Sequence, residues 1–322
     1  KATGKKIFLA GNIGQPMLAL LPKLTKKDWA VLELSSFQLQ DLQDVSPHIA
    51  VVLFITSEHL DYHKDTAEYI EAKSHIVRYQ AKSNFAVLNA DNPTAMNFAR
   101  LTPAKKYYFS RRKKVVGGYV TEGKIFLLDK LVGEVSGLKL LGVHNWENIG
   151  AAITASYLAG ASLPAIKNAV FSFAGLEHRL EFVKTIKGVS FYNDSFSTTP
   201  ETTMAAIKSF FQPITLIAGG SDKGSDYTEL GQEISRSLVK KLILIGLMAN
   251  QIKKAVTVAG YRGKIILWPG KMKEIVTTAL AETAKGGVVL LSPACASFDM
   301  FKDYKNRGNQ FKKYVQSLSS KD

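Results

Sequence analysis

The 322-residue sequence predicts an α/β fold of two doubly wound, mainly parallel sheets in successive domains. Three observations lead there. Continuous apolar runs of strand length recur between helix-length segments, the pattern of parallel strands buried on both faces. The alternation lapses in mid-chain and then resumes, which marks two units of the same class. A 46% hydrophobic share in a chain this long supplies two cores.

The first domain is assigned to residues 1–174, with buried strands predicted at "IFLA" from residue 7, "WAVLEL" from 29, "IAVVLFI" from 49 and "FAVLN" from 85. After Tyr107 the pattern shortens, with turns expected at Gly117-Gly118, Glu122-Gly123 and Gly133, so hairpins extend the sheet. A long helix follows from His144 to Leu158. Around residues 171–182, "FSFAGLEHRLEF", Gly175 breaks a helix, and a hairpin turning at Lys187-Gly188 opens the second domain, residues 175–322. There "ITLIAGG", "KLILIG", "KIILWPG" and "GGVVLLSP" are separated by helix-length segments, a Rossmann-like arrangement.

The single cysteine, Cys295, excludes an internal disulfide, and no apolar run nears the roughly 20 residues of a membrane span. A cytoplasmic monomer is the expectation. The net charge of +15 raises the question of nucleic acid, and "KKYYFSRRKK" at 105–114 interleaves aromatics with cations. It reads better as a strand running into a turn with solvated lysines, so no nucleic-acid partner is expected. Attraction of phosphorylated small molecules would use the same charge.

In open parallel sheets, ligands gather beyond the carboxyl ends of the strands, where this chain concentrates its polar residues. In "AGNIGQP" Asn12 faces such a crevice, although an ordinary strand-to-helix turn reads the same way. "LELSSFQLQ" ends an apolar strand at Glu33, whose buried carboxylate would require a cation. His59 in "TSEHLDYH" could join Glu33 on one magnesium ion. In "TAEYIEAKSHIVRYQ" Lys73 lies on the apolar stripe between Ile70 and Val77. Its amine either points inward, available for chemistry such as carbamylation, or snorkels to solvent.

Asn145 and Asn148 in "GVHNWENIGAA" share a helix face suited to an adenine edge, or one of them caps the helix. Arg179 in "GLEHRLE" stands at the domain join, where it could reach a phosphate held by the other domain. Asp194 closes the strand of "YNDSFSTTP", and Lys223 in "AGGSDKGSDY" reads as an anion ligand. "LSPACASFDMF" contributes Ser292 and Ser297 after another strand, while Cys295 has no evident base and is not read as a nucleophile.

Taken in order, "GNIGQP", "LELSSFQL", "SEHLDYH", "EAKSHI", "GVHNWEN", "GLEHRLE", "YNDSFSTTP", "GGSDKGSDY" and "SPACASFDMFKDYKNRG" resemble the Mur ligase family across nearly the whole chain. The resemblance implies a central ATP-binding domain and a C-terminal ligase domain, with ATP and Mg2+ as cofactors. It implies that a substrate carboxylate is activated as an acyl phosphate and attacked by an amino acid amine, in peptidoglycan precursor synthesis. The small-molecule substrates it points to are UDP-N-acetylmuramoyl-L-alanine and D-glutamate. By position, Glu33 and His59 resemble metal ligands, and Lys73 resembles a lysine carbamylated to a metal-binding anion. Asn12 resembles a residue near the reacting phosphate, Asn145 and Asn148 adenine contacts, and Arg179 and Asp194 nucleotide contacts. Lys223, Thr198, Ser292, Ser297 and Phe298 fall where the family holds the incoming amino acid.

The sequence departs from the family at Phe196, where the pattern expects a lysine turned toward the amino acid, and at Phe54, where it expects an asparagine. The family's uridine-binding domain and its Gly-rich phosphate loop would both precede "GNIGQP", and Thr3-Gly4-Lys5 lacks that loop's spacing. A segment without the loop is expected to be inactive alone. The alternatives are a related ligase adding another amino acid, for example L-glutamate, and a non-catalytic binding protein derived from a ligase.

Overall fold

The computed structural model describes residues 4–56, 62–222, 224–268 and 270–319. The chain forms two compact units, one of residues 1–138 and 143–173, the other of residues 139–142 and 174–322.

Unit 1 begins with parallel strands β1 (Ile7–Gly11) and β2 (Trp29–Glu33), which pair only with each other among the described residues. Both were expected to be buried, yet Leu9 is 51% and Val31 53% exposed. An apolar run shows that a strand wants cover, not that another layer supplies it. After the short helix α1 (Ser36–Gln40) comes a six-stranded sheet: β3 (Ile49–Val52), β4 (Phe85–Asn89), β5 (Lys105–Ser110), β6 (Gly117–Thr121), β7 (Lys124–Leu127) and β8 (Lys130–Glu134), adjacent in that order. Helix α2 (Thr66–Arg78), between β3 and β4, packs Tyr69 and Val77 against Ala50, Val52, Ala86 and Leu88. Residues of opposite parity, such as Val87, meet Phe109 and Ala151 on the other face, so the sheet is covered on both. Helix α3 (Pro93–Asn97) follows β4, and α4 (His144–Leu158) and α5 (Leu163–Ser172) follow β8.

Two glycine positions expected to be turns lie within strands. Gly117 and Gly118 open β6, which runs parallel to β5. They are glycines because backbone comes close: a Cβ on Gly118 would lie 2.3 Å from the carbonyl oxygen of Gly150 on α4. Gly133 lies within β8, beneath the ring of Phe171, and the chain turns instead at Leu128-Asp129. Glu122-Gly123 does form the tight turn between β6 and β7, with both residues at positive φ.

Unit 2 opens with the hairpin β9 (Glu181–Ile186) and β10 (Val189–Asn193), which turns at Lys187-Gly188 as expected. It continues as α6 (Pro200–Ile207), β11 (Ile214–Gly219), α7 (Thr228–Arg236), β12 (Val239–Ile245), α8 (Ala249–Val258), β13 (Lys264–Leu267), α9 (Met272–Glu282), β14 (Val288–Leu291) and α10 (Tyr304–Ser317). The sheet order is β13-β12-β11-β14-β10-β9, parallel except for β9. Leu216, Leu242, Leu244 and Leu290 fill one face, while Ile217, Ile243, Val289 and Leu291 fill the other. That two-sided burial is why these strands read as uninterrupted apolar runs. No helix among the described residues is long and apolar enough to cross a membrane.

Candidate active site

The carboxyl end of β2 gathers three of the expected residues. Gly11, at φ 113°, lets the turn after β1 lie against β2, where a Cβ would stand 2.1 Å from the Glu33 carbonyl oxygen. The Asn12 N–H then donates to that same oxygen at 2.8 Å. One residue further on, the Leu34 carbonyl accepts a bond from Lys73 Nζ at 3.4 Å, and the Lys73 amine lies 5.9 Å from the centre of the Tyr69 ring. Lys73 is half-buried, neither in the core nor fully in solvent. Glu33 is exposed rather than buried, because no further strand covers β2 among the described residues. Burial therefore does not force a counter-cation on it.

Ser35 and Ser36 beside this end are taken by the fold. Ser35 caps α1 in a reciprocal box with Gln38, and Ser36 Oγ lies 2.8 Å from Nε2 of the buried His63. His59 and Lys223 lie outside the described residues. Among the described residues, no group of three His, Cys, Asp or Glu side chains stands close enough to hold a metal ion.

The first turns of α4 carry the paired asparagines. Asn148 Nδ2 donates to Asn145 Oδ1 at 3.0 Å, so the two share one face. Glu147 between them accepts from Asn89 Nδ2, at the end of β4, at 3.1 Å and pairs with Arg111 after β5. These bonds fix the helix start over the carboxyl ends of the sheet.

In unit 2 the expected residues separate into buried and exposed sets. Asp194 is 4% exposed, accepts from the Leu180 N–H at 3.1 Å and from the Ser292 hydroxyl at 2.7 Å, and also bonds Ser197. Ser292, expected to hold the incoming amino acid, is fully buried, its hydroxyl committed to Asp194 and 3.0 Å from Thr203 Oγ1. Asp194, expected to face a nucleotide, is likewise spent inside the unit, where it fixes the turn that carries Arg179. Arg179 itself is exposed, its guanidinium 4.0 Å from the centre of the Phe196 ring. Thr198 is half-buried, Ser297 is buried, and Phe298 is 73% exposed, with its N–H on Ser221 Oγ at 3.3 Å. Burial pushes the Cys295 thiol up to about 11, so it stays protonated and is no nucleophile.

Burial pushes Asp194 up to about 6, against the pull of its donors and of the Arg179 charge. A carboxylate raised above its ordinary 3.8 contributes stability that is complete below that value and lost as pH rises through about 6. Asp194→Asn is thus expected to flatten the pH dependence of unfolding in urea. The difference between wild type and variant should change by roughly 2–3 kcal/mol from pH 3.8 to 7. Parallel curves would refute it.

Arg307 was not anticipated as part of this site. It is fully buried and clamps the loops after β10 and β14, with Nε on Ser195 Oγ and Nη2 on Ser195 O, both at 2.9 Å, and Nη1 on Cys295 O at 3.1 Å. Its sequence signal was available: with Phe311 and Val315 it makes a four-residue repeat on the buried face of α10.

The chain matches two family descriptions, the Mur ligase middle domain over residues 4–156 and the Mur ligase glutamate ligase domain over residues 178–295. Among curated proteins it is similar to the UDP-N-acetylmuramoylalanine--D-glutamate ligase of Caldanaerobacter subterraneus, 41% identical over 98% of this chain and 70% of the relative. The enzyme of the same name from Clostridioides difficile is 39% identical over 97% of this chain and 69% of its own length. Among solved structures, MurF ligase from Thermotoga maritima in complex with ADP superposes with a TM-score of 0.67 at 18% identity, covering 98% of this chain and 75% of that one. A MurF structure from Acinetobacter baumannii gives 0.70 at 16%, covering 97% and 77%. At such identities the structural likeness supports the fold alone.

Proposed function

Because the chain belongs to the Mur ligase family, we propose that it takes part in the ATP-dependent addition of D-glutamate to UDP-N-acetylmuramoyl-L-alanine, by way of an acyl phosphate. The observation that carries this reading is the identity of 41%, spread over 98% of the chain, with a relative named for that reaction. The two substrates are small molecules, and peptidoglycan precursor synthesis is the setting in which they are joined.

The side chains fit such chemistry in distinct ways. Glu33, exposed at the end of β2, offers the hard carboxylate oxygens that magnesium takes, with His59 as its expected companion. Lys73 as an ammonium would repel the ion. Its neutral amine attacking carbon dioxide forms an N–C bond and releases one proton, leaving an anionic carbamate that suits a cation. Magnesium, when bound, would screen charge between the triphosphate and the substrate carboxylate. Asn12 would lie by the reacting phosphate, Asn145 and Asn148 would read the adenine, and Arg179 would bind phosphate oxygens with Asp194 holding its turn. Thr198, Lys223, Ser297 and Phe298 would surround the amino acid, with Ser292 acting only through Asp194.

A second reading rests on Phe196, whose ring stands where the family has a cation, and would mean a different amino acid. Phosphate release by the full-length gene product with UDP-N-acetylmuramoyl-L-alanine, ATP and magnesium decides between them. Release that requires D-glutamate supports the first reading, and release with L-glutamate or another amino acid alone supports the second. No release with any amino acid would favour a non-catalytic protein.

A further inference from the structure

Arg179 is presented by a constrained turn. The residues on either side, His178 and Leu180, both adopt left-handed backbone, at φ 65° and 45°. Such geometry is uncommon outside glycine and persists where neighbours enforce it. Here the loop after β10 does so: the Phe196 N–H donates to the His178 carbonyl at 3.0 Å, and Asp194 Oδ1 accepts from the Leu180 N–H at 3.1 Å. Between these two bonds the guanidinium of Arg179 lies over the face of Phe196, 4.0 Å from its centroid.

The Phe196 ring is itself held. The Tyr304 ring meets it edge-on at 5.1 Å and 88°, and the Ser195 hydroxyl bonds the Tyr304 carbonyl at 2.8 Å. An aromatic face attracts a cation without consuming any of its N–H donors, so a stacked guanidinium keeps its in-plane fork for an oxyanion. An aliphatic side chain would pack there without that attraction, and a lysine would repel the arginine. At 38% exposure the ring is partly open to solvent, so its substitution need not disturb the core.

We propose that Phe196 is a positioning residue for Arg179, a platform that aims the guanidinium's N–H edge at the phosphates of the nucleotide. This rests on the reading of Arg179 as a nucleotide contact. It gives Phe196 a role in ATP binding instead of the amino-acid contact made by the lysine it replaces.

Steady-state kinetics of the full-length gene product test it. Phe196→Leu is expected to raise KM for ATP roughly three- to tenfold and to leave KM for D-glutamate unchanged. Phe196→Trp, which keeps an aromatic face, should stay within about twofold of wild type. In an Arg179→Ala background Phe196→Leu should add nothing, because the partner is gone. Phe196→Met serves the same comparison if thermal unfolding shows the leucine variant to be misfolded. A rise confined to KM for D-glutamate, or an equal effect with and without Arg179, would overturn the proposal. Arg179→Ala with an unchanged KM for ATP would instead remove the nucleotide reading beneath it, so the two failures are distinguishable.

Discussion

Lys73→Ala in the full-length protein is expected to lower kcat by roughly 10²–10³-fold or more, the scale of losing one preorganised electrostatic group from a transition state. At the end of β2, Lys73 Nζ reaches the Leu34 carbonyl at 3.4 Å, one residue from Glu33, while the Asn12 N–H bonds the Glu33 carbonyl. A carbamate there would place an anionic oxygen pair at the end of β2, chemistry that suits a magnesium ion. Short carboxylates such as acetate should therefore partly restore turnover to Lys73→Ala, since they supply the missing anion. Thermal unfolding should barely change, because the side chain is only half-buried. Wild-type turnover in the alanine variant would end the carbamate reading. Lost activity with no rescue would leave Lys73 acting as a cation instead.

The second large effect concerns stability. Arg307→Leu is expected to cost unit 2 about 3–5 kcal/mol, because it strands several buried acceptors at once. The guanidinium serves the carbonyls of Ser195, Cys295 and Ala296 as well as Ser195 Oγ. Burial draws its pKa down to about 10, which still leaves it charged at neutral pH. Arg307→Lys should recover little, since one ammonium cannot span donors that diverge in a planar fork. Urea unfolding followed by the fluorescence of Trp268 in unit 2 measures the loss. A change under about 1 kcal/mol for the leucine variant would mean that water or a shifted backbone satisfies the freed carbonyls.

How legible the molecule was follows from what each residue answers to. β11, β12 and β14 were plain because burial on both faces leaves no polar alternation, and α4 was plain from its bounded helical segment. β1 and β2 read as buried on the same evidence and are not, since periodicity reports a strand's preference and not its neighbours. Gly117-Gly118 read as a turn because two glycines usually make one; here Gly117 admits the backbone of Tyr108 on β5 and Gly118 admits α4, the latter a requirement set by residues about 30 positions away. The placement of candidate residues was legible where they sit at or just past a strand end, as for Asn12 and Glu33. It was not legible where a polar side chain serves the fold from within, as Ser292 and Asp194 do for the Arg179 turn. Phe196 could be seen as a departure, but its partner Arg179 became visible only through a pairing across 17 residues of chain.

The contact between Gly118 and Gly150 reaches beyond packing. A Cβ at 118 would stand 2.3 Å from the Gly150 oxygen, and one at 150 would stand 3.0 Å from the Gly118 oxygen. An alanine at 118 therefore cannot be admitted without moving main chain, whereas one at 150 asks its neighbours to give by a few tenths of an ångström. Change at 118 must displace α4, and with it Asn145 and Asn148. The latitude for change in this part of the protein is thus set by two absent side chains.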